Sequence, residues 1–305
     1  MEIVSDCQPL ISIGMPVFNC AGSVAQAISS ILNQTFKEWE LLIIDDGSTD
    51  NTVDIAAAFD DPRIILIEGG ANKRLPARLN ECIDLAKGRF FARMDGDDIA
   101  YPGRLQCQLD FLLSHPDVDL VGGWVVVFRF DGTAFGARRG PLTHEQICAY
   151  PWRGIPMAHP TWMGKTQWFL RHRYRTDAQW MEDQELLLRT YQKSRFATVP
   201  QIVLGYREDS LSLGRLLCTR RNMCSMMVRI AREQNRFAIA ALGIAGQVAR
   251  SLVDITAIGL NLNYHLLKHR APRASADEVA VWRDVFEETG RTVSEQIVSH
   301  EAASR

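Results

Sequence analysis

The sequence predicts an α/β fold, in which a mostly parallel β-sheet is flanked by helices and followed by a C-terminal helical region. Three observations support this prediction. Short apolar runs alternate with helix-length amphipathic stretches over the first hundred residues, which is the pattern of consecutive βαβ units. Acidic residues directly follow two of these runs, as is common at the ligand-binding edge of such sheets. After residue 208 the composition changes to long helical patterns.

Five elements are predicted in the first seventy residues. An apolar run that ends at a proline predicts a strand at 10–15, and apolar residues at helical spacing predict a helix at 24–32. A second apolar run predicts a strand at 40–44, and a helix is expected at about 51–59, after candidate N-cap residues. The third strand is predicted at 64–67.

A helix and a strand then lead into the acidic motif around which the chain is organised. The helix is predicted at 75–86, with Gly88 as the terminating glycine just past its end. The strand at 90–94 is a short apolar run bounded by glycine, as in a buried strand of a parallel sheet. Three acids follow it: Asp95, Asp97 and Asp98. Carboxylates this close repel one another unless a cation or hydrogen-bond donors stabilise them, and their hard oxygens suit Mg²⁺ or Mn²⁺.

A second pair of acids is predicted at the same edge of the sheet. Asp45 and Asp46 follow the second strand, as Asp95 and Asp97 follow the fourth. Because parallel strands end at one edge, a single nucleotide could bridge both clusters. Solvated turns are the alternative interpretation, since Asp-Gly is a common turn dipeptide. The repetition at two strand ends favours a metal–phosphate site.

The second half of the αβ region predicts fewer strands and more irregular structure. Its predicted elements, in chain order, are a helix at 104–114, a strand at 120–128, a hairpin tip at 131–132, a short helix with a capping box formed by Thr143 and Gln146, an irregular segment at 151–160 that lines the site, and a helix at 182–191.

Composition excludes several broad classes of protein. The 305 residues are 47% hydrophobic with a net charge of −2, which suits one large domain with an appendage and gives no general case for nucleic-acid binding. The seven cysteines include no Cys-x-x-Cys pair, so reduced thiols in a cytoplasmic protein are expected. Residues 1–8 lack the apolar core of a signal peptide. The predicted location is the cytoplasm, with attachment to the cytoplasmic face of the membrane as a further option.

Six short motifs resemble those of family 2 glycosyltransferases, which have the GT-A fold. In chain order they are Pro16-Val-Phe-Asn19, Asp45-Asp-Gly-Ser-Thr-Asp50, Leu75-Pro-Ala-Arg-Leu-Asn80, Arg93-Met-Asp-Gly-Asp-Asp98, His159-Pro-Thr161 and Glu182-Asp183. The resemblance runs from about residue 11 to residue 207. It implies a GT-A catalytic domain at 1–208, with a nucleotide-binding half at about 10–100, an acceptor-binding half at about 101–208 and a helical extension at 209–305.

The resemblance also implies an activity. Such an enzyme transfers a sugar, with inversion, from a nucleotide-diphosphate donor to an acceptor hydroxyl, with Mn²⁺ or Mg²⁺ as cofactor. A UDP-sugar donor is favoured, and a saccharide or lipid-linked saccharide is the expected acceptor. Synthesis of cell-surface polysaccharide, lipopolysaccharide or glycolipid would use this reaction.

Residue roles follow from the resemblance. Asp45 would accept the N3 proton of uracil, Asp97 would be the direct metal ligand, and Asp95 would contact the ribose or the metal. Asp183 would be the general base; Glu182 lies about 100° away around the helix, so only one of these two acids can point squarely into the site. The residues predicted to contact the nucleotide-sugar are Pro16, Val17, Asn19, Asp45, Asp46, Ser48, Arg78, Asn80, Asp95, Gly96 and Asp97.

Three further assignments are open to structural alternatives. Gly96 stands where such enzymes often carry alanine, and it is expected to add only flexibility. His159 is predicted to touch the donor phosphates or the acceptor, or to make a structural hydrogen bond. Trp162 is predicted at the acceptor, although tryptophans are more often core residues. No more than one or two tryptophans are expected in an acceptor groove, from the set Trp152, Trp162, Trp168 and Trp180.

The tail begins with a basic amphipathic helix. Residues 213–231 place apolar side chains on one helical face and arginines on the other, with Glu233 as the only acid between residues 215 and 236. Arg220 falls on the apolar arc and breaks the pattern. Such a helix can lie on an anionic membrane surface or pack on the catalytic domain with its basic face solvated.

The rest of the tail is largely apolar. Residues 237–248 and 251–267 form two apolar stretches, and Arg250 and Asp254 are spaced to pair on one helical face. An apolar run of about a dozen residues is too short to span a bilayer, so core packing, homodimer formation and shallow membrane insertion are the alternatives. Our hypothesis is that this tail brings the enzyme to a lipid-linked acceptor. A last amphipathic helix is predicted at 277–299.

Three competing functions deserve comparison. A nucleotidyltransferase would need a basic glycine-rich loop after the first strand, and residues 16–22 contain no lysine or arginine. A signalling receiver domain would be much shorter and would draw its acids from the first and third strands. A sugar-nucleotide binding or scaffold protein without turnover is the non-enzymatic alternative, which retention of Asp95, Asp97 and Asp183 disfavours.

Overall fold

A computed structural model describes residues 8–178, 180–208, 213–260 and 271–303. The strands are β1 Ile11–Val17, β2 Trp39–Asp45, β3 Ile64–Glu68, β4 Phe90–Arg93, β5 Ile99–Ala100, β6 Leu120–Phe128, β7 Ala134–Arg138, β8 Met163–Lys165 and β9 Phe196–Arg207. The helices are α1 Val24–Leu32, α2 Thr52–Ala57, α3 Leu75–Leu85, α4 Arg104–Ser114, α5 His144–Ile147, α6 Thr166–Arg171, α7 Glu182–Thr190, α8 Leu213–Gln234, α9 Phe237–Gly259 and α10 Ala276–Ala303.

One mixed sheet organises the molecule, with strand order β3-β2-β1-β4-β8-β6-β9-β5 and with β7 paired to β6. The first four strands in this order are parallel, as predicted. Strand β8 is antiparallel to both β4 and β6. The sheet therefore changes from the parallel βαβ region to a mixed region directly beside β4, the strand that carries the acids.

The first strand is longer than predicted and continues through Pro16 to Val17. Pairing with β4 reaches only to Gly14, whereas pairing with β2 continues to Val17. Beyond Gly14 the strand therefore has a neighbour on one side only, and a proline is tolerated at such an edge because its missing N–H breaks no ladder.

Gly88 does not terminate α3, so that prediction is wrong. The helix ends at Leu85, and Gly88 is absent from the residues with positive φ. A Cβ at this position would lie 2.6 Å from the backbone nitrogen of Ser12. Gly88 is needed because the chain passes close against β1, where its own N–H donates to Ser12 Oγ at 2.7 Å.

Several local predictions in the second half are confirmed. Helix α4 and strand β6 have the predicted bounds. Gly132 has a φ of +85° at the tip of the β6–β7 hairpin. Thr143 and Gln146 form the predicted capping box of α5, so local turn and cap chemistry was sufficient to place these elements.

The tail departs from prediction in its helix pairing. Residues 237–259 form the single helix α9, which continues through Arg250; residues 261–267 of the second apolar stretch lie outside the described residues. Asp254 does not pair with Arg250. Arg220 of α8 donates from Nε to Asp254 Oδ2 at 2.7 Å and from Nη1 to Gln247 Oε1 at 3.0 Å. Arg220 lies on the apolar face because it fastens α9 to α8.

Helix α10 packs on the sheet. Its Trp282 is buried, donates from Nε1 to the Gly132 carbonyl at 2.8 Å, and packs against Phe128 with the ring centroids 4.4 Å apart. The division of the chain at residue 208 stays a prediction, although α10 shares a core with the sheet. In the described part of the chain, α9 is the one helix long and apolar enough to cross a membrane.

Candidate functional site

The acid cavity lies between the loop after β1 and the loop after β4, with a volume of about 390 Å³. It is lined by Pro16, Val17, Phe18, Asn19, Cys20, Gly22, Ser23, Asp95, Gly96, Asp97, Phe130 and Arg207. The carboxylate oxygens of Asp95, Asp97 and Asp98 come within 4.8 Å of one another. The predicted acid cluster and the predicted Pro16–Asn19 loop therefore meet in one cavity.

The three acids of this cluster have different partners. Asp95 Oδ2 accepts from Arg93 Nη1 at 2.5 Å, and Arg93 is itself buried. Asp98 Oδ1 accepts from the Arg207 backbone N–H at 2.9 Å, while its buried Oδ2 has no hydrogen-bond partner among the described residues. Asp97 is the exposed member of the cluster.

The electrostatics of the cluster fit a divalent cation. Partial enclosure in the cavity, followed by repulsion from Asp95, raises the pKa of Asp97 to about 6. Burial and repulsion from Asp97 and Asp95 raise the pKa of Asp98 well above its ordinary value. A bound cation would relieve both effects, and an unpartnered carboxylate oxygen among hard oxygen donors is what Mn²⁺ or Mg²⁺ requires.

Arg207, which the sequence analysis did not single out, clamps the acid loop. Besides its backbone bond to Asp98, its Nε donates to the Asp97 carbonyl at 2.7 Å and its Nη2 donates to Gln26 Oε1 at 2.8 Å. Its guanidinium lies over the Phe128 and Phe130 rings, at 4.6 Å and 5.0 Å from their centroids. In the sequence, only its position at the end of β9 could have indicated that Arg207 holds this loop.

Gly96 serves close packing, so the expectation that it adds only flexibility is wrong. A Cβ at Gly96 would lie 2.9 Å from Val17 Cγ1 and 3.0 Å from Cys20 Sγ. Its carbonyl accepts from Ser23 Oγ at 3.0 Å. The loops after β1 and β4 can therefore touch only because this position lacks a side chain.

We expect Gly96→Ala to lower the free energy of unfolding by about 1–3 kcal/mol, the usual cost of overpacking, because buried Val17 is a stiff strand residue. Urea denaturation measures this. Gly290→Ala is the matched control, since a Cβ there has open space within α10 and should be neutral or stabilising. Equal free energies of unfolding for Gly96→Ala and wild type would contradict the packing role.

The acids after β2 organise the neighbouring loops. Asp45 accepts from the Gly47 N–H at 2.9 Å and the Ser48 N–H at 3.1 Å. Asp46 accepts from the Lys73 N–H at 2.7 Å and the Arg74 N–H at 2.9 Å. Both carboxylates are buried, so their first role in the fold is to fix the turns on which they stand.

Arg78 and Asn80 are placed behind these loops. The Arg78 side chain is 2% exposed and donates to Asp46 Oδ1 at 2.8 Å and to Glu81 Oε2 at 2.6 Å. Its Nη2 donates to the carbonyls of Gly69 and Ala71. Asn80 bonds to the backbone N–H and carbonyl of Tyr174. That either residue contacts the nucleotide-sugar stays a prediction. Their hydrogen bonds favour a role in positioning the neighbouring loops.

Asn19 and Ser48 join the loop after β1 to the loop after β2. The Asn19 N–H donates to Ser48 Oγ at 3.0 Å, and Asn19 Oδ1 accepts from the Thr49 N–H at 2.8 Å. Asn19 has a φ of +47°, which asparagine tolerates better than most side chains. This link aligns the acid cavity with the turn at Asp45.

The aromatic cavity, of about 330 Å³, lies beside the Asp46 loop. Its lining residues are Phe18, Asp46, Asn72, Arg74, Leu75, Pro76, Trp180 and Glu182. Trp180 is 59% exposed, and it is the member of the predicted tryptophan set that lines this cavity. Flat rings beside a buried carboxylate can bind a planar heterocycle.

Glu182 and Asp183, which are about 100° apart around α7, line different cavities. Glu182 lines the aromatic cavity, and Asp183 lines a third one, the Asp183 cavity, of about 480 Å³. Burial, followed by repulsion from Asp183, raises the pKa of Glu182 to about 7. Burial also raises the pKa of Asp183, while a hydrogen bond from the Gln184 backbone opposes the shift.

His159 and Trp162 have mainly structural surroundings. His159 lines the Asp183 cavity, but its Nε2 is bonded to the Tyr174 hydroxyl at 2.9 Å, and burial lowers its pKa well below the ordinary value. Trp162 is 0% exposed and packs edge-on against His159 at 4.5 Å. The prediction that Trp162 contacts an acceptor is wrong for this structure, because protein atoms cover the ring.

Gln184 was missed by the sequence analysis. Its side chain bonds to both backbone groups of Ile155, at 2.9 Å and 3.0 Å. It therefore joins α7 to the predicted irregular segment at 151–160, of which residues Ile155 to Pro160 line the Asp183 cavity. A glutamine after two acids carries no distinctive sequence signal.

Comparison with known proteins agrees with this geometry. A family model described as glycosyl transferase family 2 matches residues 12–173. The Bacillus subtilis (strain 168) protein EpsE, which carries a glycosyltransferase name, is 39% identical over 66% of this chain and 74% of its own. The Escherichia coli UDP-Glc:alpha-D-GlcNAc-diphosphoundecaprenol beta-1,3-glucosyltransferase WfgD is 36% identical over 39% of this chain and 47% of its own.

Two groups of solved structures share the fold. Staphylococcus aureus TarS 1-349 in complex with UDP has a TM-score of 0.59 at 17% identity and covers 95% of this chain and 82% of its own. Mannosyltransferase PcManGT from Pyrobaculum calidifontis, in complex with GDP-Man and Mn²⁺, has a TM-score of 0.60 at 16% identity and covers 95% and 87%. The predicted GT-A fold is thereby confirmed.

Proposed function

This chain belongs to glycosyl transferase family 2, and from that premise we propose that it transfers a sugar, with inversion, from a uridine diphosphate sugar to an acceptor hydroxyl. That the chain is a glycosyltransferase follows from its family. The proposal of inverting transfer from a uridine diphosphate sugar rests on the arrangement of the acidic residues. Asp95 and Asp97 line one cavity, with Asp98 buried beside them, and Asp183 lines another.

Asp45 supports uridine as the base of the donor. Its carboxylate accepts two backbone N–H groups but has about four acceptor sites, so capacity for the uracil N3–H remains. The TarS structures include complexes with UDP and UDP-GlcNAc, whereas the PcManGT structure is a complex with GDP-Man and Mn²⁺. The aromatic cavity beside Asp46 would hold the base between Phe18 and Trp180.

Asp97 and Asp95 would hold a divalent cation, with Arg207 keeping the loop in place. When bound, such a cation supplies Lewis-acid stabilisation of the negative charge that develops on the leaving diphosphate. Arg93 restrains the Asp95 carboxylate through its 2.5 Å contact. The chain's own contribution is therefore a rigid set of oxygen donors whose mutual repulsion is highest when the cation is absent.

Asp183 would act as the general base. Inversion requires a carboxylate on the opposite side of the sugar from the leaving group, and the Asp183 cavity has room for an acceptor saccharide. The acceptor hydroxyl would give its proton to Asp183 as the new glycosidic bond forms. Burial raises the pKa of Asp183, which makes it a stronger base than an exposed aspartate. The transition state would have oxocarbenium character, as in glycoside hydrolysis.

A lipid-linked saccharide is the proposed acceptor class, in the synthesis of a cell-surface polysaccharide or glycolipid. The name of WfgD, which is 36% identical to this chain over 118 residues, specifies a diphosphoundecaprenol-linked acceptor. His159, which lines the Asp183 cavity, would lie beside the acceptor.

We expect UDP to bind more tightly than GDP or dTDP, and Mn²⁺ to strengthen UDP binding at least tenfold. Calorimetric titration of each nucleotide, with and without Mn²⁺, measures both effects. Tighter binding of GDP would reassign the donor. If no nucleotide binds, or if the metal changes nothing, the assignment of the acid cavity fails.

A further inference from the structure

Helix α9 has one packed face and one exposed apolar face. Ala240, Gly243, Gln247 and Asp254 are buried at helical spacing. Six large apolar side chains elsewhere on the helix are 45% to 61% exposed: Phe237, Leu242, Val248, Leu252, Val253 and Ile255. Arg250 and Asp254 are the only charged residues in the 23 residues of α9, and Asp254 is buried. These exposed apolar side chains extend over residues 237–255, about 27 Å by helical rise, and an apolar face of this length marks an interaction surface.

The contacts on the packed face keep α9 alongside α8. Asp254 and Gln247 are both bonded to Arg220 of α8, and a Cβ at Gly243 would collide with Met227. Moving α9 away would separate the largely buried charges of Arg220 and Asp254 and leave each without its partner. Helix α9 is therefore held against the protein and does not cross a bilayer on its own.

Aromatic and basic side chains flank this helix. Tyr150 is exposed, and its ring lies 5.4 Å from that of Trp152. The Arg153 guanidinium lies 5.2 Å from the Tyr150 centroid, and Arg250 donates to the Arg153 carbonyl at 3.3 Å. Tryptophan, tyrosine and arginine beside an apolar surface are typical of the region where lipid headgroups meet acyl chains.

The charge around α9 is positive although the whole chain is not. Residues 213–259 contain seven arginines and two acids, whereas the chain has a net charge of −2. Both acids are paired: Glu233 with Arg175 at 2.9 Å, and Asp254 with Arg220. This surplus favours an anionic partner surface. It disfavours a symmetric dimer through the same face, because such an interface would bring the two arginine-rich regions together.

We propose that the exposed face of α9 lies flat in the headgroup region of an anionic bilayer. Segment 151–160 connects this surface to the chemistry, since Arg153 contacts Arg250 and Ile155 to Pro160 line the Asp183 cavity. Docking on α9 therefore holds the Asp183 cavity next to the membrane surface. This orientation rests on the proposed function in one respect, namely that the acceptor is lipid-linked.

Vesicle flotation tests the proposal with the full-length protein. At low salt, wild type is expected to float with vesicles of phosphatidylglycerol and phosphatidylcholine and to bind pure phosphatidylcholine at least tenfold more weakly. The double variant Leu252→Glu/Val253→Glu should lose binding to the mixed vesicles by at least a hundredfold. Leu113→Glu, at a 49% exposed apolar position on α4, is the matched control and should float like wild type.

Two further measurements separate the possible outcomes. Transfer to a water-soluble acceptor should be unchanged in the double variant. If neither wild type nor the double variant transfers sugar, but wild type still floats with the vesicles, the proposed function fails and the membrane-binding surface stands. Failure of wild type to float would overturn the membrane proposal. So would a micromolar dimer, detected by sedimentation velocity, that the double variant abolishes, since a second copy would then cover α9. Resistance of membrane-bound protein to alkaline carbonate extraction would show instead that α9 spans the bilayer.

Discussion

Asp97→Asn is expected to lower kcat/KM for sugar transfer by about a thousandfold and to remove the stimulation by Mn²⁺. A metal ligand supports several kcal/mol of transition-state stabilisation, and each 1.36 kcal/mol is a factor of ten in rate. The substitution keeps the size of the side chain and removes its charge. Asp97 is exposed, and its carbonyl rather than its carboxylate accepts from Arg207 Nε, so the loop should keep its shape.

Initial rates measured over a range of Mn²⁺ concentrations, together with calorimetric binding of UDP, test this expectation. Asp110→Asn provides the matched control, because Asp110 is an exposed acid on α4 whose carboxylate bonds only locally, to Gln106. A thermal melt should show no loss of stability in either variant, and Asp97→Asn should be slightly more stable without the cation because it removes repulsion from Asp95. An Asp97→Asn enzyme that retained full Mn²⁺ stimulation would move the metal site away from this cluster.

The position of the acid cluster could be predicted because it depends on local sequence. An apolar run such as 90–94 becomes a buried strand, and whatever follows it lies at the edge of the sheet. The same reasoning placed Asp45 and Asp46, and only the order of the parallel strands had to be assumed. Cap and turn signals likewise placed α5 and the tip of the β6–β7 hairpin, since their hydrogen bonds join residues three or four apart.

Side chains with distant partners could not be assigned in this way. Arg78 bonds to Asp46, 32 positions away, and Asn80 bonds to Tyr174, 94 positions away. Motif position placed both residues near the site, but their hydrogen-bonding capacity is used to hold loops. Arg220 interrupted the apolar face in the sequence analysis for the same reason, because its partner Asp254 belongs to another helix.

Asp183→Asn is expected to lower kcat by about 10²–10⁴-fold, the usual contribution of a general base, while leaving the UDP affinity nearly unchanged. Asparagine cannot accept the hydroxyl proton, yet it fills the same space, and Asp183 lines a cavity separate from the acid cluster. Single-turnover rates with UDP-sugar and acceptor give the chemical step, and titration with UDP gives the affinity. Unchanged turnover in this variant would favour a binding or scaffold protein over an enzyme with this base.

The pH dependence of kcat/KM distinguishes Asp183 from its neighbour. A base with a raised pKa must be deprotonated to act, so activity should fall as the pH drops below that value, and this acidic limb should vanish in the residual activity of Asp183→Asn. Glu182→Gln is the matched control: burial rather than Glu182 raises the pKa of Asp183, so both the acidic limb and the turnover should be largely kept. If Glu182→Gln instead abolishes turnover and Asp183→Asn does not, the base faces the aromatic cavity and the two roles are exchanged. Both side chains stand on the first turn of one helix, and each substitution keeps the size of the side chain. This pair of variants therefore tests which of the two carboxylates accepts the hydroxyl proton, without altering the surrounding fold.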